Sequence, residues 1–299
     1  MWLAVIAGAL ALAPAALADT LEVRPGPNAI QKALTSAHNG DTLRIHDGTY
    51  RESPVINKRV TLRGVAGGPR PTVDAQCEDR ATFLVNSGGV TLDHLRVVGA
   101  AENGSQGPFP SEVDVENIGT GTIHDLVVRD TCGGPEVGAE YGINVFNSGP
   151  VDVTDNVAAG GFSDAGIYIG GITDTNDDAL RVVRNLTNHN HQGIIVENSG
   201  ANGVIQVAQN RSINNAGPGV EGNMAGIFLN NSDGVRIRDN TVKDNGEFGV
   251  NISPGSDHNR LIENTITSNP TDVNNQGSAN CGSGNTIGTR AGNPLMPCG

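Results

Sequence analysis

A repeated strand pattern led by glycine constrains the fold of this chain more than any other feature. Each copy has a glycine, two apolar residues that flank one variable residue, and then a polar corner. Successive copies begin 24, 27, 33 and 23 residues apart, and they are Gly142–Val145, Gly166–Ile169, Gly193–Val196, Gly226–Leu229 and Gly249–Ile252. A period of about 20–50 residues indicates a solenoid, in which each repeat packs against its neighbours.

The segments between these copies also have the pattern of strands. Their apolar residues alternate with polar ones, as in Val235–Arg238, and the repeats show no helical spacing. Glycine makes up 41 of the 299 residues, which disfavours a helical bundle because glycine destabilises helices. We therefore predict an all-β fold, a parallel β-helix in which Ile and Val point inward and each coil rests on the next.

Asparagines recur in pairs that are five residues apart. The clearest pairs are Asn185 with Asn190, Asn210 with Asn215, Asn240 with Asn245, and Asn264 with Asn269. The earlier repeats are aligned so that the position of the first asparagine is filled by Asn156, Asp125 and His94. Asparagine tolerates left-handed backbone, bonds to nearby backbone groups and can form amide ladders when stacked. The pairs therefore predict stacked turns between strands.

The chain from about Thr20 to Arg290 resembles the secreted right-handed parallel β-helix proteins. That group includes pectate lyase-like enzymes, polyuronate epimerases and NosD-type repeat proteins. The resemblance is carried by the opening motifs Ala29–Leu34, Gly40–Ile45 and Asp47–Tyr50, and by the repeat Ser163–Ile169. These motifs are specific for the fold, whereas function depends on sites placed on it.

The resemblance implies an exported protein that acts on a polysaccharide or oligosaccharide. The reactions it implies are β-elimination, C5 epimerisation and glycoside hydrolysis, and an enzyme is the favoured interpretation. The sequence has no Asp-Pro-His-Glu, Asp-Pro-His-Asp or Gly-His-Gly element and no catalytic strand rich in Lys and Arg. The alternative is a non-catalytic glycan-binding or structural β-helix, or a NosD-like accessory protein. Two methionines after residue 18 and four cysteines that we expect to be paired offer few soft ligands for copper.

The two ends of the chain differ from the repeat. Residues 1–18 carry no charge and end in Ala-Leu-Ala, which predicts a signal peptide and a secreted or periplasmic protein that does not remain in the membrane. Residues 19–299 are predicted to form one domain and a monomer. The spacing predicts a capping helix over Asn28–His38, with Asn28 as the N-cap. Residues from about 279 to 299 have lost the repeat and are expected to form an irregular C-terminal cap.

Four cysteines in an exported chain suit two disulfides. Three pairings are possible, and their spacing matches no zinc site. We favour a pairing that closes the C-terminal tail and ties loops of neighbouring repeats, namely Cys281 with Cys298 and Cys77 with Cys132.

The acidic charge restricts the partners. With 19 Lys and Arg against 32 Asp and Glu, the net charge is 19 − 32 = −13. This excludes a nucleic-acid binder that works by neutralising phosphates. A neutral glycan fits the charge better than an anionic polymer, unless calcium or a local arginine cluster bridges the two.

Stacked repeats place chemically active residues in one column. Two positions before the repeated glycines lie Glu140, Asp164, His191, Met224 and Glu247. Strands in a sheet are about 4.8 Å apart, so residues in this column are neighbours. Glu140 and Asp164 then have the separation of a retaining glycosidase pair, in which one carboxyl keeps a proton. His191 could serve as the base of a lyase or epimerase, and the alternative is that all three are solvated loop ends.

Two further columns point outward from the same strands. One contains Asn144, Tyr168 and Phe228, the next contains Glu197, and aligning Asn117 with Asn147 adds Asp114 and Glu116. Exposed Tyr168 and Phe228 beside polar groups would form a sugar-stacking groove. The alternative is that loops fold over these rings and make a small second core.

One segment could hold a metal ion. Asp174, Asn176 and Asp178 lie within five residues, and this density of oxygen ligands suits Ca²⁺. The segment lacks the glycine and distal glutamate of an EF-hand loop, and a solvated acidic turn is the alternative.

Overall fold

Three parallel sheets run along the length of a right-handed β-helix. The structure is a computed structural model, and it describes residues 18–133, 137–172, 180–200, 205–217 and 222–298. One sheet has twelve strands and the other two have ten each. The predicted all-β fold is confirmed. Residues 1–17 of the predicted signal peptide lie outside the described residues.

The elements up to residue 129 are β1 (Thr20–Val23), α1 (Ala29–Ser36), β2 (Thr42–Ile45), β3 (Thr49–Arg51), β4 (Val55–Ile56), β5 (Thr61–Gly64), β6 (Thr72–Asp74), β7 (Ala81–Val85), β8 (Val90–Asp93), β9 (Arg96–Val98), β10 (Ser111–Glu116), β11 (Gly121–His124) and β12 (Val127–Arg129). The middle of the chain contains β13 (Tyr141–Phe146), β14 (Val151–Thr154), β15 (Val157–Ala159), β16 (Ala165–Gly170), β17 (Leu180–Val183), β18 (Leu186–Asn188), β19 (Gln192–Glu197), β20 (Ile205–Ala208) and β21 (Arg211–Ile213). The last part contains β22 (Ala225–Asn230), β23 (Arg236–Arg238), β24 (Thr241–Lys243), β25 (Phe248–Ile252), β26 (Arg260–Ile262), β27 (Thr265–Thr267), β28 (Thr271–Asn275), β29 (Cys281–Ser283), β30 (Thr286–Ile287), β31 (Arg290–Gly292) and β32 (Met296–Pro297).

From β2 to β31, each coil contributes one strand to each sheet. The first sheet has the order β1-β2-β5-β8-β11-β14-β17-β20-β23-β26-β29-β32. The second sheet, which carries the glycine-led strands, has the order β31-β28-β25-β22-β19-β16-β13-β10-β7-β4. The third has the order β3-β6-β9-β12-β15-β18-β21-β24-β27-β30. Residues one coil apart in the chain are therefore neighbours in a sheet.

The repeated glycines lie in one column inside the coil. Ile143 pairs with Ile167, Ile167 with Ile194, and Ile194 with Ile227, so the glycines just before them are also stacked. A Cβ on Gly193 would overlap the carbonyl oxygen of Gly226 and the hydroxyl of Ser212. Glycine is required at this position because the next coil leaves no room for a side chain.

Asparagine side chains form ladders along the molecule, as predicted. In one ladder each Nδ2 donates to Oδ1 of the next asparagine at 2.9–3.0 Å, and its members are Asn156, Asn185, Asn210, Asn240, Asn264 and Asn285. A second ladder joins Asn190, Asn215, Asn245 and Asn269 at 3.0–3.2 Å. Each amide also donates to a strand carbonyl, so the ladders satisfy buried polar backbone.

The alignment of Asp125 and His94 with this ladder is wrong by one residue. The backbone N–H of Leu126 donates to Oδ1 of Asn156, so Leu126 occupies the ladder position in that coil. Asp125 and His94 instead occupy the preceding position, where φ is 48° and 57°. The left-handed residue is the one before each ladder asparagine, as at Arg184 with φ of 57°. The asparagines are present for their side-chain hydrogen bonds.

The predicted capping helix is present, but its N-cap differs from the prediction. Asn28 precedes α1 in left-handed conformation and makes no side-chain cap hydrogen bond. The carboxylate of Glu52 replaces it, because Oε1 accepts the N–H of Ile30 at 3.0 Å and Oε2 accepts that of Gln31 at 2.9 Å. A residue of the next coil therefore caps the helix.

The expectation of an irregular C-terminal cap is wrong. Strands β29 to β32 continue all three sheets through Pro297, and Asn285 extends the ladder from Asn264. The predicted disulfides are confirmed, with Cys281 joined to Cys298 and Cys77 to Cys132. Within the described part of the chain, no helix has the length and apolar character needed to span a membrane.

Candidate active site on the second sheet

The predicted site residues lie on the outward side of the second sheet, between β10 and β25. The third and fifth residues of these strands pack in the main core, whereas the first and fourth point to the other side. Five carboxylic acids lie on this outward side between β10 and β19, and we call them the acid face: Asp114, Glu116, Glu140, Asp164 and Glu197.

The register confirms the predicted outward columns. In the first column Asp114 pairs with Asn144, Asn144 with Tyr168, Tyr168 with Ile195, and Ile195 with Phe228. In the second, Glu116 pairs with Phe146, Phe146 with Gly170, Gly170 with Glu197, and Glu197 with Asn230. Residues dozens of positions apart therefore form one surface.

Glu140 and Asp164 are neighbours on adjacent coils. The backbone N–H of Asp164 donates to the carbonyl of Glu140 at 3.1 Å. Burial raises the pKa of Glu140 to about 7, and the negative charge of Asp164 adds to the rise. Burial also raises the pKa of Asp164, although hydrogen bonds from Tyr141 and Gln192 oppose that rise. The Gln192 amide donates to Oδ1 of Asp164 at 3.0 Å.

Tyr141 completes this pair, and the sequence analysis did not identify it. Its hydroxyl interacts with the carboxyls of both Glu140 and Asp164, and its ring packs on Tyr168 with centroids 4.7 Å apart. Burial raises the pKa of Tyr141 far above its ordinary value, so the hydroxyl stays protonated and acts as a donor. The available signal was its place directly before the repeated Gly142, which is an outward position next to Glu140.

His191 lies one coil beyond Asp164. The N–H of Gln192 donates to the carbonyl of Asp164 at 2.8 Å, which aligns His191 with Asp164. The imidazole is buried, with Nδ1 3.0 Å from the carbonyl oxygen of Gly217. Because a carbonyl only accepts, Nδ1 carries a proton and donates it to that oxygen. Nε2 has no hydrogen-bond partner among the described residues.

The last two residues of the predicted catalytic column lie on later coils than Glu140 and Asp164. Met224 and Glu247 follow His191 on the next coils, and the N–H of Glu247 donates to the carbonyl of Met224 at 2.9 Å. Glu247 is exposed to solvent. The acid pair is therefore confined to the coils of Glu140 and Asp164.

Glu197 is held by two side chains. The hydroxyl of Tyr168 donates to its Oε2 at 2.6 Å, and the amide of Asn230 donates to its Oε1. Tyr168 reaches Glu197 by lying across Gly170, where a Cβ would overlap the phenol ring. These two contacts hold the Glu197 carboxyl in place beside Glu140 and Asp164.

The expectation that Tyr168 and Phe228 are exposed is wrong. Each keeps only 8% of its surface accessible. They belong to a second apolar cluster outside the coil, whose members are Tyr141, Ala165, Tyr168, Ile195, Ala225 and Phe228, with Phe109, Phe146 and Phe248 packed against it. The alternative of a small second core therefore describes this surface better than an open stacking groove.

Asp114 and Asn144 lie at the N-terminal end of the acid face, and both are fully buried. The Asn144 amide donates to Oδ1 of Asp114 at 2.7 Å. Burial raises the pKa of Asp114 to about 7, a rise that the Asn144 hydrogen bond opposes and the nearby charge of Glu116 increases. Burial also raises the pKa of Glu116.

The predicted calcium ligands Asp174, Asn176 and Asp178 lie outside the described residues. Within the ranges that the structure describes, no group of three or more His, Cys, Asp or Glu side chains could hold a metal ion.

Comparison with known proteins gives one family and several similar folds. Residues 112–288 match the family model described as "Periplasmic copper-binding protein (NosD)". Comparison with curated proteins gives no match.

Three solved structures illustrate the similar folds. XylC in complex with xylose is 11% identical, over 89% of this chain and 67% of that one, with a TM-score of 0.53. An alginate lyase from Paenibacillus sp. is 16% identical, and the match covers 93% of this chain and 99% of that one, with a TM-score of 0.50. A GH136 lacto-N-biosidase from Eubacterium ramulus is 11% identical, and the match covers 94% of this chain and 68% of that one, with a TM-score of 0.50. At these identities the likeness concerns the fold alone.

Proposed function

The chain belongs to the NosD family, whose model matches residues 112–288, and from that premise we propose that it is an exported, single-domain glycosidase with Glu140 and Asp164 as its reacting pair. Export is supported by the charge-free segment 1–18 and by the family's description as periplasmic. The observation that carries the reaction is the raised pKa of Glu140, to about 7, beside a second carboxyl.

Copper, which the family description names, does not fit the residues that the structure describes. All four cysteines are in disulfides. Met296 is exposed near the C-terminus, whereas Met224 lies directly before β22. No group of three or more His, Cys, Asp or Glu side chains accompanies either methionine in the described ranges. Copper sites need such soft or imidazole ligands together, so the described residues do not fit copper and the proposed reaction has no step through it.

The two carboxyls have different surroundings, and this assigns their roles. Asp164 receives hydrogen bonds from Tyr141 and Gln192, which favour its ionised form. Glu140 is buried beside that charge and therefore holds the proton. A protonated acid next to an ionised carboxylate is the arrangement that glycoside hydrolysis requires.

The reaction then proceeds in two displacements. Glu140 donates its proton to the glycosidic oxygen as the bond to the anomeric carbon breaks, and an Asp164 oxygen bonds to that carbon. Water then attacks the same carbon, gives its proton to Glu140 and releases Asp164. The strand spacing of about 4.8 Å suits this retaining route, which needs carboxyls about 5 Å apart.

The charge of the chain favours a substrate without negative groups. Lyases and epimerases that act on uronates need a cation to neutralise the substrate carboxylate, whereas the acid face adds negative charge to a chain of net charge −13. His191, whose Nε2 has no hydrogen-bond partner among the described residues, would be the base if such a reaction occurred.

A panel of glycans tests the reaction class. The protein is incubated with neutral, amino and uronate oligosaccharides, with and without calcium. New reducing ends, without absorbance near 235 nm from an unsaturated uronate, are expected for non-anionic glycans. Calcium-dependent absorbance on uronates alone would contradict hydrolysis and favour a lyase based on His191.

A non-catalytic glycan-binding protein is the second candidate. The burial of Tyr168 and Phe228 favours it, since each ring keeps only 8% of its surface accessible. Buried rings leave less open surface on which a polymer could be positioned for a reaction. Binding of a glycan from the same panel, without any new reducing ends, would support this second function.

A further inference from the structure

A polar cleft with a volume of about 330 Å³ lies beside the N-terminus of α1. Its walls are α1, the end of β3, the segment after β6 and the segment between β9 and β10. The side chains that line it include Gln31, Arg51, Gln76, Glu78, Asp79 and Gln106. Pockets for small ligands have volumes of about 300–1,000 Å³, so the cleft is large enough for a sugar unit.

Contacts between coils hold the cleft in shape. The Gln106 amide donates to the carbonyl of Ser53 at 2.9 Å. The Ser105 hydroxyl donates to Oδ1 of Asp79 at 2.7 Å. The disulfide at Cys77 ties the segment after β6 to a later coil. Because these contacts join segments of different coils, the cleft is formed before a ligand binds.

The polar groups of the cleft are a mixture of donors and acceptors. Arg51 is exposed, and within the described residues its guanidinium has no hydrogen bond or ion pair. The side-chain carbonyl of Gln31 accepts the N–H of Val55 at 2.8 Å, which leaves its NH₂ group to donate. Gln106 already uses its NH₂ group, which leaves its carbonyl to accept. Glu78 adds an exposed carboxylate.

This mixture matches sugar hydroxyls. A hydroxyl both donates and accepts, whereas a metal cation needs acceptors alone and a phosphate needs donors. No group of three or more His, Cys, Asp or Glu side chains in the described ranges could hold a metal ion. The carboxylates of Glu52, Glu78 and Asp79 outnumber the one cation in the lining, which disfavours an anionic sugar.

The cleft lies on the same edge of the second sheet as Glu140. The N–H of Ser111 donates to the carbonyl of Arg80, one coil earlier, at 2.7 Å. The N–H of Glu140 donates to the carbonyl of Pro110 at 2.7 Å. These bonds place Asp79, the residue before Arg80, two coils before Glu140. Two coils of about 4.8 Å each amount to about 10 Å along the axis, so an oligosaccharide that extends along this edge reaches both.

We propose that the cleft is a distal subsite, which binds a neutral sugar unit of the substrate away from the bond that is cleaved. This subsite rests on the proposed function and narrows its substrate to oligosaccharides longer than a disaccharide. Arg51 and Gln31 donate to the hydroxyls of the bound unit. Glu78 and Gln106 accept hydrogen bonds from them. Longer chains gain affinity, because a distant unit makes contacts that a short chain does not reach.

The test measures binding of neutral tetramers of glucose, of xylose and of N-acetylglucosamine by isothermal titration calorimetry. The full chain carries Glu140→Gln throughout, so that turnover does not disturb the titration. Adding Arg51→Ala or Glu78→Gln is expected to weaken binding of the best tetramer by about 10–100-fold, the range for a hydrogen bond to a charged group. Both residues are exposed, so these variants are expected to fold. Arg290→Ala and Glu263→Gln, exposed residues outside the cleft, are expected to leave binding unchanged.

Kinetics with Glu140 intact give a second readout. In Arg51→Ala, KM for the best tetramer is expected to rise by about 10–100-fold with little change in kcat, since a remote contact stabilises ground state and transition state alike. The rate on an aryl monosaccharide, which is too short to reach the cleft, is expected to stay at the wild-type value.

The outcomes separate the subsite from the reaction. Unchanged tetramer binding in both Arg51→Ala and Glu78→Gln, with hydrolysis intact, would overturn the subsite and leave the glycosidase proposal standing. Weakened binding in both variants, without new reducing ends from the wild type, would support the cleft as a glycan site and contradict the glycosidase. Failure of all the tetramers to bind, and of the whole glycan panel to react, would contradict both proposals.

Discussion

Replacing Glu140 by glutamine is expected to lower the rate of hydrolysis of a natural glycan by about 10²–10⁴-fold, the usual contribution of a general acid. Glutamine keeps the size of the side chain but has no acidic proton to donate, whereas Glu140, with its pKa raised to about 7, is protonated in about half of the molecules at neutral pH. The measurement is kcat on the best substrate from the glycan panel, together with a thermal melt that confirms folding.

Two comparisons separate loss of the acid from general damage. An aryl glycoside with a good leaving group needs little protonation, so Glu140→Gln is expected to slow its glycosyl transfer far less. Glu247→Gln, in the same column but exposed, is expected to keep wild-type rates. Full activity of Glu140→Gln on the natural glycan would exclude Glu140 as the acid.

Replacing Gly193 by valine is expected to destabilise the fold more than any surface substitution. The new Cβ would overlap the carbonyl oxygen of Gly226 and the Ser212 hydroxyl on the next coil, and backbone cannot move aside as a flexible side chain can. We expect a loss of at least about 3 kcal/mol in the free energy of unfolding. This corresponds to a fall in Tm of about 6–12 °C, or to failure to fold.

Gly68 provides the matched control for this substitution. A Cβ there meets no atom within 4 Å, so Gly68→Val is expected to change stability by less than about 0.5 kcal/mol. Circular dichroism melts of the two variants give the comparison. Equal melting temperatures for Gly193→Val and the wild type would contradict the stacked glycine column.

The β-helix could be predicted from the sequence because a glycine and an asparagine recur at fixed places in successive repeats. The position of Gly193 is occupied by glycine in five consecutive coils, and Asn210 has counterparts before and after it in the chain. A repeat carries its own alignment, so the register and the outward columns followed from it. The coil that contains Asp125 has Leu126 instead of an asparagine at the ladder position. Without the asparagine as a guide, the sequence alignment placed Asp125 at the ladder position, one residue too early.

Burial on the acid face could not be predicted in the same way. Tyr168 is outward in the register, but whether an outward ring is exposed depends on what packs over it. Phe109, whose ring packs on Tyr141 and Phe146, lies before β10 and outside the repeat. The sequence also did not predict that Glu52 caps α1. This contact joins residues of two different coils, and no repeated motif links Glu52 to the helix.

The most direct test of the account is a pH titration of the Glu140 and Asp164 carboxyl carbons by NMR, in the wild type and in Asp164→Asn. Stacking of adjacent coils predicts that Glu140 titrates near pH 7 in the wild type, since burial and the Asp164 charge both raise its pKa to about 7. Removing that charge in Asp164→Asn is expected to lower the Glu140 pKa, because the repulsion is lost while burial remains. A Glu140 carboxyl that titrates near its ordinary value of 4.5, and does not respond to Asp164→Asn, would contradict the account.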